Sequence, residues 1–245
     1  MLSPKQYILK KAIIIGASSG IGAEIAKLLA KNGYKVGITG RRLDLLTALK
    51  TTNPSAFLVS SFDCTAADNA EKLETLAKQL GGLDLLVFSS GIGNFNKHLD
   101  YAIENETNQL NVIAFTQIMD WAFNYFNNQK SGHIVGITSI SGIRGGKASP
   151  AYNASKAYQI SYLQAMRQRA FSNKFGVTVT DIRPGFVNTE MAKGPGMFWI
   201  ATKEKAAKQI YNHIKNKSDV AYVTKRWRVI AVLLKILPSW LYKRL

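Results

Sequence analysis

Tyr152 and Lys156 are the side chains whose types and spacing most directly indicate chemistry. They stand four residues apart on a predicted helix over residues 152–173, so both project from the same face of that helix. A phenol has a pKa of about 10, and a nearby ammonium group favours its ionised form, as acid–base catalysis requires. Ordinary surface contacts of helices use the same spacing. Ser139 favours the catalytic interpretation, because it lies thirteen residues before Tyr152, where a predicted strand over residues 133–138 ends.

A glycine-rich turn near the N-terminus is a candidate phosphate site. Gly16, Gly20 and Gly22 stand where a predicted strand over residues 11–15 turns into a predicted helix over residues 21–31. Glycines allow the backbone to approach a pyrophosphate closely, and the first N–H groups of a helix attract an anion. Ser18 and Ser19 add hydroxyl donors. Glycine turns after strands are common for structural reasons alone, so the strand–turn–helix context carries the prediction.

The elements that position these residues alternate along the chain. Predicted buried strands cover residues 11–15, 35–39, 57–61, 83–89, 133–138, 177–182 and 220–223, and helices cover residues 21–31, 43–50, 69–80, 105–128, 152–173 and 203–217. Apolar strands separated by helices indicate an α/β fold with a parallel sheet covered on both faces. We therefore predict a single doubly wound, Rossmann-type domain with a seven-stranded parallel sheet over residues 1–224. A C-terminal amphipathic extension, a basic and apolar helix, follows over residues 225–245.

Seven motifs, in order along residues 12–223, resemble those of the short-chain dehydrogenase/reductase family. The spacing of Gly16, Gly20 and Gly22 differs from the G-x-G-x-x-G fingerprint and is similar to that family's turn. The other matches are Asp63, Ser89-Ser90-Gly91, Asn111, Ser139, Tyr152-x-x-x-Lys156, and Pro184-Gly185 with Thr189. Ser89-Ser90-Gly91 departs from the family's usual Asn-Asn-Ala-Gly, which we expect to loosen side-chain bonding at the centre of the sheet. The resemblance implies an oxidoreductase that uses a nicotinamide dinucleotide.

The resemblance also implies which dinucleotide is used. Members that prefer NAD carry an acidic residue at the end of the second strand, where this chain has Gly40 followed by Arg41 and Arg42. Arginine offers a 2′-phosphate a planar, charged fork, so NADP(H) is the expected cofactor, unless both arginines are solvated loop residues. The family pattern assigns to the cofactor Gly16, Ser18, Ser19, Gly20, Ile21, Gly22, Arg41, Arg42, Asp63, Ser90, Gly91, Tyr152, Lys156, Pro184, Gly185, Val187 and Thr189. As alternatives, Asp63 starts a turn and Thr189 caps a short helix.

The catalytic residues implied by the resemblance are Asn111, Ser139, Tyr152 and Lys156. Ser139 would hold the substrate oxygen, with Ser141 as its nearest competitor, and Tyr152 would protonate that oxygen during reduction. Lys156 would bond the nicotinamide ribose, and Asn111 would anchor a water in a proton relay unless it is a surface amide. The expected function is hydride transfer between NADP(H) and a carbonyl or alcohol. The alternative is a catalytically silent nucleotide-binding regulatory or scaffold protein.

Segments 142–150 and 186–200 should border the substrate. The second contains Phe186, Met191, Met197, Phe198 and Trp199, which suits a lipophilic substrate or, alternatively, packs a lid onto the body.

The segment over residues 225–245 has an apolar centre, with Trp227, Trp240 and Tyr242 near its ends and basic residues at both flanks. This composition suits a helix in a membrane interface. A dimer-interface helix and a lid packed beside the substrate pocket are the alternatives. The formal net charge of +17 would attract polyanions such as an anionic membrane surface. No zinc-finger spacing or RNA-recognition signature indicates a nucleic-acid partner.

The remaining composition limits other classes of protein. Cys64 is the only cysteine, which excludes an internal disulfide, and the three histidines are too scattered to indicate a metal site. The first residues lack an apolar leader, and no run of residues reaches the length of a spanning helix. We expect a cytoplasmic homodimer or homotetramer, associated with the inner face of the membrane if the tail is an anchor, that acts on a small-molecule carbonyl or alcohol.

Overall fold

The sheet is built from runs of apolar, mostly branched residues that are buried on both faces. A computed structural model describes residues 9–174, 176–192 and 196–244. Its strands are β1 (Lys10–Ile15), β2 (Tyr34–Gly40), β3 (Phe57–Ser61), β4 (Leu85–Phe88), β5 (Ser131–Ile137), β6 (Gly176–Pro184) and β7 (Val220–Val223). They form one seven-stranded sheet in the order β3-β2-β1-β4-β5-β6-β7.

Every strand pair in this sheet is parallel, so the carboxyl ends of the strands meet at one edge. β1 lies between β2 and β4, and the strand order reverses there. In doubly wound sheets, ligands bind in the crevice at that reversal. The fold therefore directs the turns after β1, β4, β5 and β6 toward one cleft.

Helices cover both faces of the sheet. They are α1 (Gly20–Lys31), α2 (Leu43–Thr51), α3 (Asn69–Leu80), α4 (Tyr101–Asn108), α5 (Phe115–Gln129), α6 (Pro150–Asn173), α7 (Lys203–Lys215), α8 (Trp227–Ile236) and α9 (Ser239–Tyr242). Side chains of α1, α2 and α7 pack on one face of the sheet, and those of α3, α5 and α6 pack on the other. Each of these six helices thus buries an apolar face against the sheet.

The predicted fold is confirmed, with differences at the ends of elements. β3 and β7 have the predicted bounds, and the other strands differ from prediction by one or two residues at an end. The helix predicted over residues 105–128 begins at Tyr101 and includes a π-helical turn over Gln109–Ala114. The tail, predicted as one helix, is divided into α8 and α9, because Pro238 cannot continue a helix. Residues 1–8 and 245, which the predicted domain bounds include, lie outside the described residues.

The turn after β1 is shaped by close packing of its glycines. Gly16 has φ +84°, a backbone conformation that glycine adopts without steric cost. A Cβ on Gly22 would lie 2.0 Å from the Gly16 carbonyl oxygen, so α1 starts directly against the turn. This arrangement sets the first turn of α1 at the crevice. Among the described residues, no helix combines the length and the apolar character needed to cross a bilayer.

Candidate functional site

Tyr152 and Ser139 meet at the carboxyl end of β5. Ser139 follows that strand after one residue, and its Oγ accepts a hydrogen bond from the main-chain N–H of Ser141 at 3.0 Å. Pro150 begins α6 at a position where its missing N–H costs nothing, which places Tyr152 in the first turn of that helix. The Ser139 side chain lies close enough to the Tyr152 phenol to lower its pKa. The structure thus joins the two side chains that the sequence spacing paired.

The phenol of Tyr152 is held in its protonated form. Burial raises its pKa above the usual value, and the Ser139 side chain opposes that effect only in part. We expected the Lys156 ammonium to favour the tyrosinate, but its nitrogen lies 5.9 Å from the centre of the phenol ring. Desolvation is therefore the main influence on Tyr152 within the protein itself.

Lys156 is buried, with 3% of its surface exposed. Its Nζ donates to the main-chain oxygen of Ile137 at 3.1 Å and to Oε1 of Gln159 at 2.9 Å. Burial lowers the pKa of Lys156 to about 8, and the carboxylate of Asp181 partly offsets this by raising it. A Cβ on Gly91 would lie 3.4 Å from the same Nζ, so the turn after β4 faces the ammonium group.

Asn111 lies in the π-helical turn and is fully buried, so it is not a surface amide. Its side chain ties that turn to the segment after β4: Nδ2 donates to the Ile92 carbonyl at 2.7 Å, and Oδ1 accepts from the Ile92 N–H at 3.1 Å. Its main-chain oxygen accepts from Nε2 of Gln159 at 2.8 Å. π-helical turns often occur at functional sites. Here the turn presents a main-chain carbonyl of Asn111 toward the site.

Gln159 is a site residue that the sequence analysis missed. Its amide connects Lys156 Nζ to the Asn111 carbonyl, the two groups between which the family pattern implied a water. It is completely buried. The available signal was its position three residues after Lys156 on the same helix, which puts both side chains on one face.

The phosphate turn and Arg42 are in direct contact. Nη2 of Arg42 donates to Ser18 Oγ at 3.1 Å and to Ser19 Oγ at 2.7 Å, and Nη1 pairs with the Glu190 carboxylate at 3.0 Å. Gly20 and Ile21 begin α1, so their N–H groups belong to its unpaired first turn. This places a guanidinium group next to the helix N-terminus that would hold a phosphate.

Arg41 and Asp63 lie together at the carboxyl ends of β2 and β3. Their closest side-chain atoms are 3.8 Å apart, and both are substantially exposed. Hydrogen bonds from Thr65 lower the pKa of Asp63, with its main-chain N–H as the largest cause, so this carboxylate is ionised. The Thr65 main-chain N–H and hydroxyl both donate to Oδ1 of Asp63, so Asp63 also starts the turn that was its alternative role.

The turns after β4 and β6 complete the cleft. A Cβ on Gly16 would lie 2.8 Å from the Ser90 nitrogen, so the first and fourth turns touch. β6 ends at Pro184, and Gly185 follows directly. Thr189 donates to the Val187 carbonyl at 3.3 Å, and its side chain would lie 3.4 Å from a Cβ on Gly20. The segment after β6 therefore approaches the phosphate turn from the opposite side.

These residues fit a dinucleotide. Gly20 and Gly91 leave open the space beside Thr189 and Lys156 that a Cβ would enter, while Arg42 supplies positive charge at the turn. Among the described residues, no group of three or more His, Cys, Asp or Glu side chains is placed to hold a metal ion.

We expected Trp227 in an amphipathic extension, and the structure buries its side chain against Gly185, beside the cleft. It is 1% exposed, and a Cβ on Gly185 would lie 2.0 Å from its ring. Its ring centre lies 5.4 Å from that of Phe186, 5.0 Å from that of Phe198 and 5.7 Å from that of Trp199. Trp227, the first residue of α8, thus contributes to the apolar lining next to Pro184-Gly185.

Comparisons with known proteins agree with this geometry. The model of the short chain dehydrogenase family matches residues 10–197. An uncharacterized oxidoreductase of Myxococcus xanthus is 30% identical over 244 residues, which cover 95% of this chain and 94% of that protein. Another, from Staphylococcus saprophyticus, is 35% identical over 208 residues, 82% of this chain and 87% of that protein.

Solved structures share the fold. A short chain dehydrogenase from Bacillus anthracis has a TM-score of 0.78 at 21% identity, over 87% of this chain and 93% of that chain. ElxO with NADP bound has a TM-score of 0.77 at 23% identity, over 88% of this chain and 97% of that chain. At these identities the solved structures establish the fold alone. The family match over residues 10–197, together with relatives at 30% identity or more across most of the sequence, shows that this chain belongs to the short-chain dehydrogenase/reductase family of oxidoreductases.

Proposed function

We propose that this protein is an NADP(H)-dependent reductase of lipophilic carbonyl compounds, or the corresponding alcohol dehydrogenase. The contact between Ser139 and Tyr152 at the carboxyl end of β5 carries this proposal, because it joins a proton donor to a second hydroxyl at the cleft. When bound, the nicotinamide supplies the hydride. The protein's task is then to hold the substrate oxygen and to deliver or accept one proton there.

Ser139 and Tyr152 divide this task. When a carbonyl oxygen enters between these two neighbouring hydroxyl groups, each can turn its proton toward that oxygen instead of toward the other hydroxyl, which stabilises the negative charge that develops on it. Because burial keeps Tyr152 protonated, the phenol is ready to act as the proton donor in reduction. Lys156 Nζ lies 5.9 Å from the centre of the phenol ring, too far for direct contact, but its buried positive charge would still attract the phenolate that remains, because charges act over longer distances in a region of low dielectric.

The lining next to Gly185 supports a lipophilic substrate. Phe186, Phe198, Trp199 and Trp227 form one aromatic cluster there. Nε1 of Trp227 is buried and has no hydrogen-bond partner among the described residues. A buried donor of this kind is costly unless a partner reaches it. An apolar substrate that carries one acceptor group would satisfy both features.

The first test is a turnover assay. We expect NADPH oxidation with at least some aldehydes or ketones in a graded panel, with preference rising as the apolar part of the substrate lengthens. A catalytically silent scaffold would bind NADPH, seen as a change in its fluorescence, without turnover on any member of the panel. Preference for short hydroxylated sugars would contradict the lipophilic assignment while leaving the reductase assignment in place.

The preference for NADP(H) over NAD(H) is tested at the two arginines. Arg42→Ala and Arg41→Ala should each weaken NADPH binding by about 1.5–3 kcal/mol, the value of a charged hydrogen bond, and leave NADH binding nearly unchanged. We expect the larger effect at Arg42, because it bonds Ser18, whose Oγ would lie 3.4 Å from a Cβ on Gly40, the position of the acidic residue in NAD-preferring members, whereas Arg41 contacts Asp63. Titration of cofactor fluorescence measures both affinities.

Arg169→Ala is the matched control, since its guanidinium lies over the Phe123 ring on another part of the surface. Equal losses for NADPH and NADH in the arginine variants would show that the side chains do not bind the 2′-phosphate.

Solved structures with this fold that carry NADP and NADPH show that the fold accommodates such a cofactor. An oligomeric assembly and a cytoplasmic location stay predictions.

A further inference from the structure

Helix α8 has two apolar faces, and within the part of the chain that the structure describes only one of them is buried. Trp227 and Ala231 are buried against the body of the protein. Val229, Val232, Leu233 and Ile236 lie on the opposite side and are 59%, 50%, 52% and 69% exposed. Their spacing of three, four and seven residues forms a continuous stripe along the helix. We refer to these four residues as the apolar stripe.

The stripe continues into neighbouring exposed apolar residues. Trp240 and Leu241 are exposed on α9, which follows α8 in the chain, and Phe198, Trp199 and Ile200 are exposed where the first two of them contact Trp227 at the start of α8. Scattered exposed apolar residues are normal, but contiguous ones mark an interaction surface. This surface is therefore a candidate contact region.

The charges around the stripe indicate the charge of the partner that it would bind. Residues 220–245 contain six Lys or Arg residues and no Asp or Glu. All six are exposed: Lys225, Arg226, Arg228, Lys235, Lys243 and Arg244. A second copy of the chain would bring the same positive charges together, whereas an anionic surface would neutralise them.

Tryptophan–arginine pairs stand at both ends of the surface. The Arg226 guanidinium lies 4.8 Å from the Trp199 ring centre, and that of Arg244 lies 5.8 Å from Trp240. Tryptophan and basic side chains are enriched at the depth of lipid headgroups, where an aromatic ring meets both apolar and polar surroundings. Both ends of the surface therefore carry residues suited to the headgroup layer, while the stripe between them would face the acyl chains.

Arg144 connects helix α8 to the 142–150 segment, which we expect to border the substrate. It follows the short helical turn after Ser139, and its Nη1 donates to the main-chain oxygens of Leu234, at 2.9 Å, and of Leu237. Its guanidinium also lies 4.3 Å from the Tyr242 ring centre. On the other side of α8, Trp227 packs on Gly185. The helix that carries the stripe therefore contacts both segments that border the substrate.

We propose that the apolar stripe, α9 and the 198–200 segment form a docking face for an anionic bilayer, and that the enzyme acts on carbonyl or alcohol lipids dissolved in that bilayer. Bilayer binding depends on the stripe and the basic residues alone. The choice of substrate rests on the proposed reductase function. A polar surface with a shallow apolar face lies in the membrane interface without crossing it.

Vesicle sedimentation tests the docking face without cofactor or substrate. The full chain should bind vesicles of equal parts phosphatidylcholine and phosphatidylglycerol at least ~10-fold more tightly than vesicles of phosphatidylcholine alone. Binding should weaken in ~1 M salt, where the Debye length is about 3 Å. Truncation is unsuitable, because removing Trp227 would uncover Gly185, so point variants are used.

The diagnostic variant is Leu233→Glu with Ile236→Glu, which places charge in the stripe without touching the buried face of α8. We expect at least ~10-fold weaker binding to anionic vesicles. Phe171→Glu is the matched control, since Phe171 is exposed on α6 and lies outside the docking face. Unchanged NADPH fluorescence and thermal unfolding would confirm that both variants fold. Vesicle binding equal to that of the unaltered chain would overturn the proposal.

Two other outcomes would also overturn the docking face. One is failure of the unaltered chain to bind either vesicle. The other is a dimer, seen by analytical ultracentrifugation, that the double variant splits while vesicles are ignored, because a second copy would then cover the stripe.

Substrate delivery is tested with two carbonyl compounds that share a reacting group, one water-soluble and one long-chain and dissolved in the vesicles. The double variant should lose at least ~10-fold in rate on the vesicle-dissolved compound only. An equal loss on both compounds would overturn delivery from the bilayer. If the chain binds vesicles but reduces neither compound, the proposed function fails and the docking face stands.

Discussion

Replacing Tyr152 with phenylalanine is expected to lower turnover at least ~100-fold, the scale of a lost general acid, and to leave NADPH affinity nearly unchanged. The substitution removes only the hydroxyl group. The ring stays in place because it packs against Gly93, where a Cβ would lie 2.5 Å from the ring. Turnover at saturating NADPH and cofactor fluorescence measure the two quantities separately.

Tyr158→Phe is a close control for this variant. Tyr158 lies on the same helix, and its hydroxyl bonds Thr116 at 2.8 Å on a more exposed face. The control should keep full turnover. If Tyr152→Phe kept full turnover as well, the phenol would have no part in proton transfer and the reductase mechanism proposed here would fail.

Residues that lie together because they share one helix or one turn could be predicted from the sequence, because their spacing alone determines that they meet. Tyr152 and Lys156 share a face of α6, and Gly16 and Gly22 meet within the β1–α1 turn. The order of strands and helices was also predictable, since an apolar run between glycine turns has few other solutions in a parallel sheet, whereas the ends of most elements differ from prediction by one or more residues.

Residues whose role depends on two distant elements could not be predicted in this way. Gln159 reaches Asn111 only because the π-helical turn presents a carbonyl toward α6, and no spacing rule predicted that turn. Trp227 is buried because Gly185 leaves space for its ring. In the sequence, the tail has apolar residues on both faces of α8, so composition alone does not determine which face packs against the body.

The different contacts of the adjacent residues Arg41 and Arg42 also could not be predicted from the sequence. Neighbouring arginines after β2 looked equivalent in the sequence, yet one contacts Ser18 and Ser19 and the other contacts Asp63. Successive residues point in different directions, so adjacent identical side chains can serve different parts of a ligand.

Replacing Lys156 with alanine should reduce both turnover and cofactor affinity. Turnover is expected to fall at least ~100-fold, because the phenolate left by proton donation loses its buried counter-charge. NADPH affinity should fall about 10- to 150-fold, the equivalent of one charged hydrogen bond. A defect in turnover alone would contradict a contact between Lys156 and the cofactor.

The pH dependence of kcat/KM tests whether catalysis requires the charged form of Lys156. The pKa of Lys156 is lowered to about 8, so the ammonium form is present below that pH and is lost as pH rises through it. Reductase kcat/KM should therefore be level near neutral pH and fall above about pH 8. A rate that rises through this range would show that the neutral amine is the active form.

Gln159→Leu then separates positioning from packing. Leucine keeps a side chain of similar size but removes the oxygen that accepts from Lys156 Nζ at 2.9 Å. Losing an acceptor disfavours the ammonium form, which lowers the pKa of Lys156 further and moves the fall in kcat/KM to lower pH. Gln164→Leu, on an exposed position of the same helix, should leave the profile unchanged. If Gln159→Leu lowers the rate equally at every pH, the amide only packs the site; a shift of the descending limb identifies it as the residue that keeps Lys156 charged.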